Sequence, residues 1–263
     1  MLREKLYAKA VHTAGKVPWI STWLRKKAGA FEDGSIVRIR TGLAAGMLWK
    51  RDHRYVNGYW LGHYELPLQR VLASHLREGS VFYDVGANAG FFSLLAAKLV
   101  GAQGHVYAFE PMPDNVKTIS EQFRLNELGQ CTLSTDAVAA QIGTARFSSD
   151  PAANSVGHLG SPQSAQEMSY DVRTTTLDVF AAINGLPDLV KIDVEGFESE
   201  VLKGAATLIQ NGVPFLIELH GAEPSAAVSE LLSAAGFEFF DIEGKPLRMP
   251  ISAKHVIAKK PKY

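Results

Sequence analysis

The chain has little of several things, and each scarcity narrows what it can be. Cys131 is its only cysteine, which excludes an intramolecular disulfide and a cysteine-based zinc site and suits a reducing compartment. Charge of one sign is not in excess: 27 basic and 27 acidic residues give a formal net charge of +0, so nothing in the balance asks for nucleic acid. No apolar run approaches the length of a membrane span, and no signal-peptide core is visible, so the expected setting is soluble and cytoplasmic. Internal repeats and heptads are also missing. What remains is one α/β core with an extension: a chain of 263 residues buries roughly 70–75% of the surface its unfolded form exposes, enough to need no staple.

The most informative stretch is Val81-Phe82-Tyr83-Asp84-Val85-Gly86-Ala87-Asn88-Ala89-Gly90, followed by the apolar run Phe91 to Val100. A β-rich run ends in an acid and a glycine turn, and a helical pattern starts directly after it, which predicts strand, tight loop, helix. Gly86 suits a positive φ or a close ligand approach, and Gly90 a tightly packed helix start. Asn88 stands where a dinucleotide fingerprint carries its second glycine, which argues against NAD. Glu110, before Pro111, closes the next strand near the interval at which such folds place a carboxylate on a ribose hydroxyl. Asp84 and Glu110 together suit a cofactor with an amino acid part and a ribose but no phosphates.

From Val81 onward strands and helices alternate, the pattern of a mainly parallel sheet with helices on both faces. Strands are expected at 81–85, 105–109, 131–137, 188–193, 214–219, 237–241 and 254–258, and helices at 90–100, 114–127, 175–183, 198–210 and 224–235. Asp84, Glu110, Asp136, Asp193 and His220 then all fall at strand carboxyl ends, where open α/β sheets bind ligands. Two segments, Ala145 to Ser149 and Tyr170 to Arg173, alternate like a hairpin joined by a long Ser/Ala/Gly/Pro-rich connection. Loops of that length are usually lids or disordered inserts.

Together with Lys191-Ile192-Asp193-Val194-Glu195-Gly196 and Ile217-Glu218-Leu219-His220, the glycine loop resembles the FkbM family of S-adenosylmethionine-dependent methyltransferases, in the family's usual order from about Trp60 to Gly236. The resemblance implies a Rossmann-like class I methyltransferase fold with a seven-stranded sheet in residues 79–263, preceded by an extension over residues 1–78. It implies S-adenosylmethionine as cofactor, S-adenosylhomocysteine as product and a hydroxyl as methyl acceptor. It also implies a cofactor pocket that includes Tyr64 and Glu65 from the segment ahead of the loop, Asp193, and Asp136 with Ala137 against the adenine. Asn154-Ser155 resembles a polar signature the family carries on the acceptor side, so Asn154 and His158 are expected to meet acceptor hydroxyls.

For such a transfer the enzyme must align two reactants and manage the acceptor's proton. A positioned base contributes about 10²–10⁴-fold, and Asp193, Glu195 and His220 are the candidates, the last because its unperturbed pKa lies near 6.5. Asp193, Glu195 and His220, with Glu218, could instead hold a divalent metal that acidifies the hydroxyl. An ion pair of Lys191 with Asp193 accounts for the acids equally well, so no metal ligand is assigned.

The acceptor narrows by exclusion. No Asn-Pro-Pro-aromatic motif follows the fourth strand, which argues against base amines. Cys131 lies at the wrong end of its strand to be the nucleophile that pyrimidine carbon methylation needs. A saccharide, glycolipid or natural-product hydroxyl remains. A non-catalytic binding protein on this fold would be expected to have lost Asp84, Glu110 or the acidic strand ends, and all are present. In the first thirty residues, Arg3, Lys5, Lys9, Lys16, Arg25, Lys26 and Lys27 accompany an apolar stripe, the composition of two short helices divided at Pro18 that either cap the core or touch an anionic membrane surface. Oligomeric state has no signature in the sequence.

Overall fold

The computed structural model describes residues 31–55, 58–149, 157–160, 162, 164 and 166–261. The basic amphipathic segment before Phe31 and the Asn154-Ser155 signature lie outside the described residues. The chain divides into two compact units, the first ending at Leu66 and the second beginning at Pro67.

In the first unit β1 (Ile36–Arg38) and β2 (Leu48–Lys50) form an antiparallel hairpin, with Val37 opposite Trp49. Trp49 is buried against Tyr59, their rings 5.1 Å apart, and Tyr59 meets Tyr64 edge-on at 4.6 Å. Gly62 is required here, since its φ is +78° and a β-carbon would fall 1.9 Å from the Thr41 carbonyl oxygen.

The second unit is built on seven strands: β3 (Val81–Val85), β4 (His105–Phe109), β5 (Cys131–Ser134), β10 (Leu189–Ile192), β11 (Phe215–Glu218), β12 (Glu238–Phe240) and β13 (His255–Lys259). Their order across the sheet is β12-β13-β11-β10-β3-β4-β5. The five from β5 to β11 run parallel, and only β13 opposes its neighbours. Beginning at β3, the chain winds outward through β4 and β5, then crosses back to place β10 on the other side of β3. That reversal opens a crevice at the carboxyl ends of β3 and β10. Strands β10 and β11 are buried along their whole length, as parallel strands covered on both faces should be, which is why they read as near-continuous apolar runs. The main core gathers Tyr83, Phe109, Val190, Ile217, Leu208 and Leu232 from both sheet and helices.

A second sheet, ordered β6-β9-β7-β8, is inserted between β5 and β10 and consists of β6 (Ala137–Val138), β7 (Gly143–Ser149), β8 (Gly157–Leu159) and β9 (Met168–Thr175). The predicted hairpin is real, with Phe147 opposite Tyr170, but it belongs to this separate sheet. The expected strand 131–137 therefore divides. It ends at Ser134, whose hydroxyl accepts the Asp136 amide at 3.3 Å in a side-chain turn, and Ala137 pairs instead with Thr174. The expected helix 198–210 also breaks, into Glu198–Lys203 and Ala206–Gln210. Gly204 sits at the break, and any β-carbon there would lie 2.3 Å from the Ala139 carbonyl oxygen. The helix Leu177–Asn184 begins where Thr176 accepts the Val179 amide, a side-chain cap.

Candidate active site

The glycine loop leaves β3 at the crevice. Gly86 takes φ +78° because the chain must turn under the neighbouring strand's exit: a β-carbon would stand 1.9 Å from the Asp193 carbonyl oxygen. The close approach that requires glycine is thus made by the protein's own backbone. Gly90, at φ +81°, abuts Ile119 of the helix Pro113–Leu125, with a β-carbon placed 3.1 Å from its side chain. Asn88 adopts a left-handed φ of +51°, which asparagine tolerates better than most residues.

Glu110 fastens this loop. One carboxylate oxygen accepts the Asn88 amide at 2.8 Å and the other the Met112 amide at 2.9 Å. The side chain is almost wholly buried, and burial pushes its pKa up to about 7 despite those amides and Asn115. Tyr170, which the sequence did not single out, directs toward this region a buried hydroxyl with no hydrogen-bond partner among the described residues, and the Glu110 and Asp114 charges add to the burial that pushes its pKa up to about 12.

Asp84 is fully buried. It accepts a hydrogen bond from Ser93 at 2.6 Å, and Lys191 Nζ stands 3.7 Å from its other oxygen. Burial raises its pKa, with Lys191 and Ser93 opposing. Lys191 reaches on to Asp193 at 3.1 Å, so the ion pair anticipated from the strand face is present. Burial works against the ammonium, but Asp193 and Asp84 outweigh it and hold its pKa above the usual range. Asp84 is thus an anchor for Lys191, and its carboxylate has no exposed surface.

The second half of the site surrounds His220, just beyond β11. Its Nδ1 lies 2.8 Å from Glu198, and its Nε2 lies 3.2 Å from Glu218, 3.4 Å from Glu195 and 3.9 Å from Asp193. Hydrogen bonds to Glu198 and then Glu218 raise its pKa to about 10, against the effect of burial. The unperturbed value near 6.5 therefore does not apply here, because four carboxylates favour the imidazolium. The pKa of Glu195 is raised as well, by burial, with His220 opposing. Glu218 is desolvated too, but hydrogen bonds from His220, His255 and Lys254 hold it well below the usual carboxylate range. Its oxygens meet Lys254 at 2.5 Å and His255 at 2.8 Å.

Glu198 escaped the sequence reading. Glu195 and Gly196 both take positive φ, +52° and +100°, so the chain doubles back after β10 and the first helical residue faces the cluster. Its carboxylate accepts the Gly196 amide at 2.9 Å as well as facing His220. A glutamate two residues after a strand-end glycine was the available signal.

Tyr64 and Glu65 belong to the first unit. Asp136 leaves β5 and pairs with Arg173 at 2.9 Å, while Ala137 is buried in β6. Pro111 follows Glu110 at the crevice. His158 is on β8, 3.8 Å from Glu167. Cys131, half-buried at the start of β5, has its pKa pushed up to about 12 by burial.

Strand order, a glycine loop after the first core strand and the acidic strand ends are those of the Rossmann-like class I methyltransferase fold. More narrowly, residues 84–239 match the Methyltransferase FkbM domain, and the chain belongs to that family. It is 27% identical over 230 residues to the hexuronic acid methyltransferase AglP of Haloferax volcanii, covering 84% of this chain and 88% of that one. A shorter match, 39% identical over 59 residues, links 22% of the chain to 27% of a protein-L-isoaspartate O-methyltransferase of Ignicoccus hospitalis. Among solved structures, the ribosomal protein L11 methylase of Lactobacillus delbrueckii subsp. bulgaricus superposes with a TM-score of 0.45 at 14% identity, over 74% of this chain and 77% of that one.

Proposed function

We propose that the protein transfers the methyl group of S-adenosylmethionine to a hydroxyl of a saccharide. The observation that carries this reading is the junction at the crevice: the turn that requires Gly86 rests on the carbonyl of Asp193, so cofactor loop and carboxylate–histidine cluster are held against each other. Glu110, at the end of β4, is the acceptor for the ribose, since its carboxylate keeps an acceptor position after meeting two backbone amides and Asn115. Gly86, Asn88 and Gly90 shape the loop around the cofactor, and Asp84 acts through Lys191 to hold Asp193 in place.

In the transfer, the acceptor oxygen forms its bond to the methyl carbon as the carbon–sulfur bond breaks, and S-adenosylhomocysteine leaves. The hydroxyl proton must go to the protein. Glu195 is the best placed to take it, being the most exposed carboxylate of the cluster at 40% and having its pKa raised by burial. His220, held by Glu198, orients the carboxylates around the acceptor. Likeness to a hexuronic acid methyltransferase supports a sugar acceptor.

The test is calorimetric titration with S-adenosylhomocysteine, followed by transfer of labelled methyl groups to hexuronic-acid-containing and neutral saccharides. Binding and label on a sugar oxygen are expected. No binding at millimolar product, or label on nitrogen or carbon only, would refute the reading.

A further inference from the structure

Asp193, Glu195 and His220 offer three ligand atoms that all lie within 4.8 Å of one another. Ligands on one cation, at bonds of about 2.0–2.2 Å, stand about 3.0 Å apart at right angles and about 4.2 Å apart when opposed. His220 Nε2 lies 3.4 Å from Glu195 and 3.9 Å from Asp193, inside that interval. We propose that these three side chains form a divalent-cation site that seats the acceptor hydroxyl.

Two observations separate this group from an ordinary acidic cluster. The imidazole is aimed: its Nδ1 is 2.8 Å from Glu198, the outer carboxylate that metal-bound histidines characteristically have. Glu198 is wholly buried, and its second oxygen has no hydrogen-bond partner among the described residues, a cost the fold carries while presenting Nε2 to the other acids. The ligands are also apportioned. Lys191 takes one oxygen of Asp193 and leaves the other, 3.9 Å from Nε2, while Glu218, 3.2 Å from Nε2, is already engaged by Lys254 and His255, and the ion takes the place of the Nε2 proton.

Side-chain exposures of 25% for Asp193, 40% for Glu195 and 20% for His220 leave one side open to solvent. An ion there keeps coordination positions for water or for hydroxyls of a sugar. Two carboxylates and one imidazole suit manganese or a similar first-row ion better than calcium. Bound to such an ion, a hydroxyl is acidified, and the second oxygen of Glu195 remains to receive its proton. The ion also resolves a conflict of charge, since a hexuronate would otherwise approach four carboxylates. This assignment rests on the methyl-transfer reading for its role, though not for its existence.

The experiment therefore begins without cofactor or acceptor. The full chain, dialysed against chelator, is titrated with Mn²⁺ while the free-ion electron paramagnetic resonance signal is followed. One ion per chain is expected. Glu195→Gln, at an exposed position that the fold tolerates, should weaken binding at least about tenfold, and Glu198→Gln by about 10–100-fold, both with parental melting curves. No stoichiometric ion in the parent, or equal affinity in all three proteins, overturns the site. Methyl transfer at its full rate in excess chelator also overturns it while leaving the methyl-transfer reading standing. Mn²⁺ binding without S-adenosylhomocysteine binding upholds the ion site and removes the methyl-transfer reading.

Discussion

Glu110 offers the most demanding test of the cofactor assignment, because its chemistry changes inside the working pH range. Burial moves its pKa from an ordinary 4.5 to about 7. Near pH 8 about nine-tenths of the molecules carry the charged form, and near pH 6 about one-tenth do. Ribose hydroxyls donating to a charged carboxylate gain about 1.5–3 kcal/mol, or roughly ten- to a hundredfold in affinity, over the neutral form. Glu110→Gln approximates that neutral form at every pH. The advantage of the parent over the variant for S-adenosylhomocysteine should thus be largest near pH 8 and shrink about five- to tenfold by pH 6. Taking the ratio of the two proteins cancels titration of the ligand itself. Stability has the opposite trend. A carboxylate whose folded pKa exceeds its unfolded value costs stability when charged, so the penalty, on the order of 3 kcal/mol, is full above about pH 7 and is relieved as pH falls toward 4.5. Isothermal titration at pH 6, 7 and 8 reads the first effect and urea melts in the same buffers read the second. A parent-to-variant ratio constant across that range would refute the role given to Glu110.

Three further outcomes are expected. Lys191→Met, which strands the buried Asp84 carboxylate, should cost about 3–5 kcal/mol in chemical denaturation, and adding Asp84→Asn should recover at least half of it; no recovery would show that Lys191 serves only Asp193. Gly86→Ala, facing the Asp193 carbonyl oxygen 1.9 Å away, should destabilise by several kcal/mol, whereas Gly196→Ala, with φ +100° and nothing within 4 Å, should cost only about 1–2 kcal/mol of backbone strain; equal melting temperatures for the two would contradict this. Glu195→Gln should lower turnover on a saccharide by about 10²–10⁴-fold with product affinity within about twofold of the parent, and a parallel loss of both would make the residue structural.

The features legible in the sequence were those with a local cause. Phe82 to Val85 and Leu189 to Ile192 read as buried parallel strands because both faces of each are covered, and the glycine at 86 announced a turn whatever packed against it. Features set by a distant partner were less visible. Strand β5 ends early because Ala137 finds a better partner in Thr174, thirty-odd residues on, and the helix after Glu198 breaks at Gly204 because the Ala139 backbone passes there. Neither event leaves a mark in the periodicity of its own segment.

The same distinction explains why His220 does not keep its ordinary pKa. His220 was assigned its ordinary pKa because an isolated histidine has one, and a histidine two residues from a glutamate on a strand could still have been near it. What changes the residue is convergence: β10 contributes Asp193 and Glu195 past its end, the turn through Gly196 returns Glu198, and β11 brings Glu218 and the imidazole itself. Spacing of two at the end of β11 reveals one of these four acids, the parallel pairing of β10 with β11, Ile192 beside Ile217, supplies Asp193 and Glu195, and the turn through Gly196 supplies Glu198. Once that register is known, residues one and three past Ile192 must stand beside the residue three past Ile217. The acidic character of the site is therefore a consequence of sheet topology acting on two short motifs, and it makes the imidazole a fixed charge or a ligand where an isolated one would be a base.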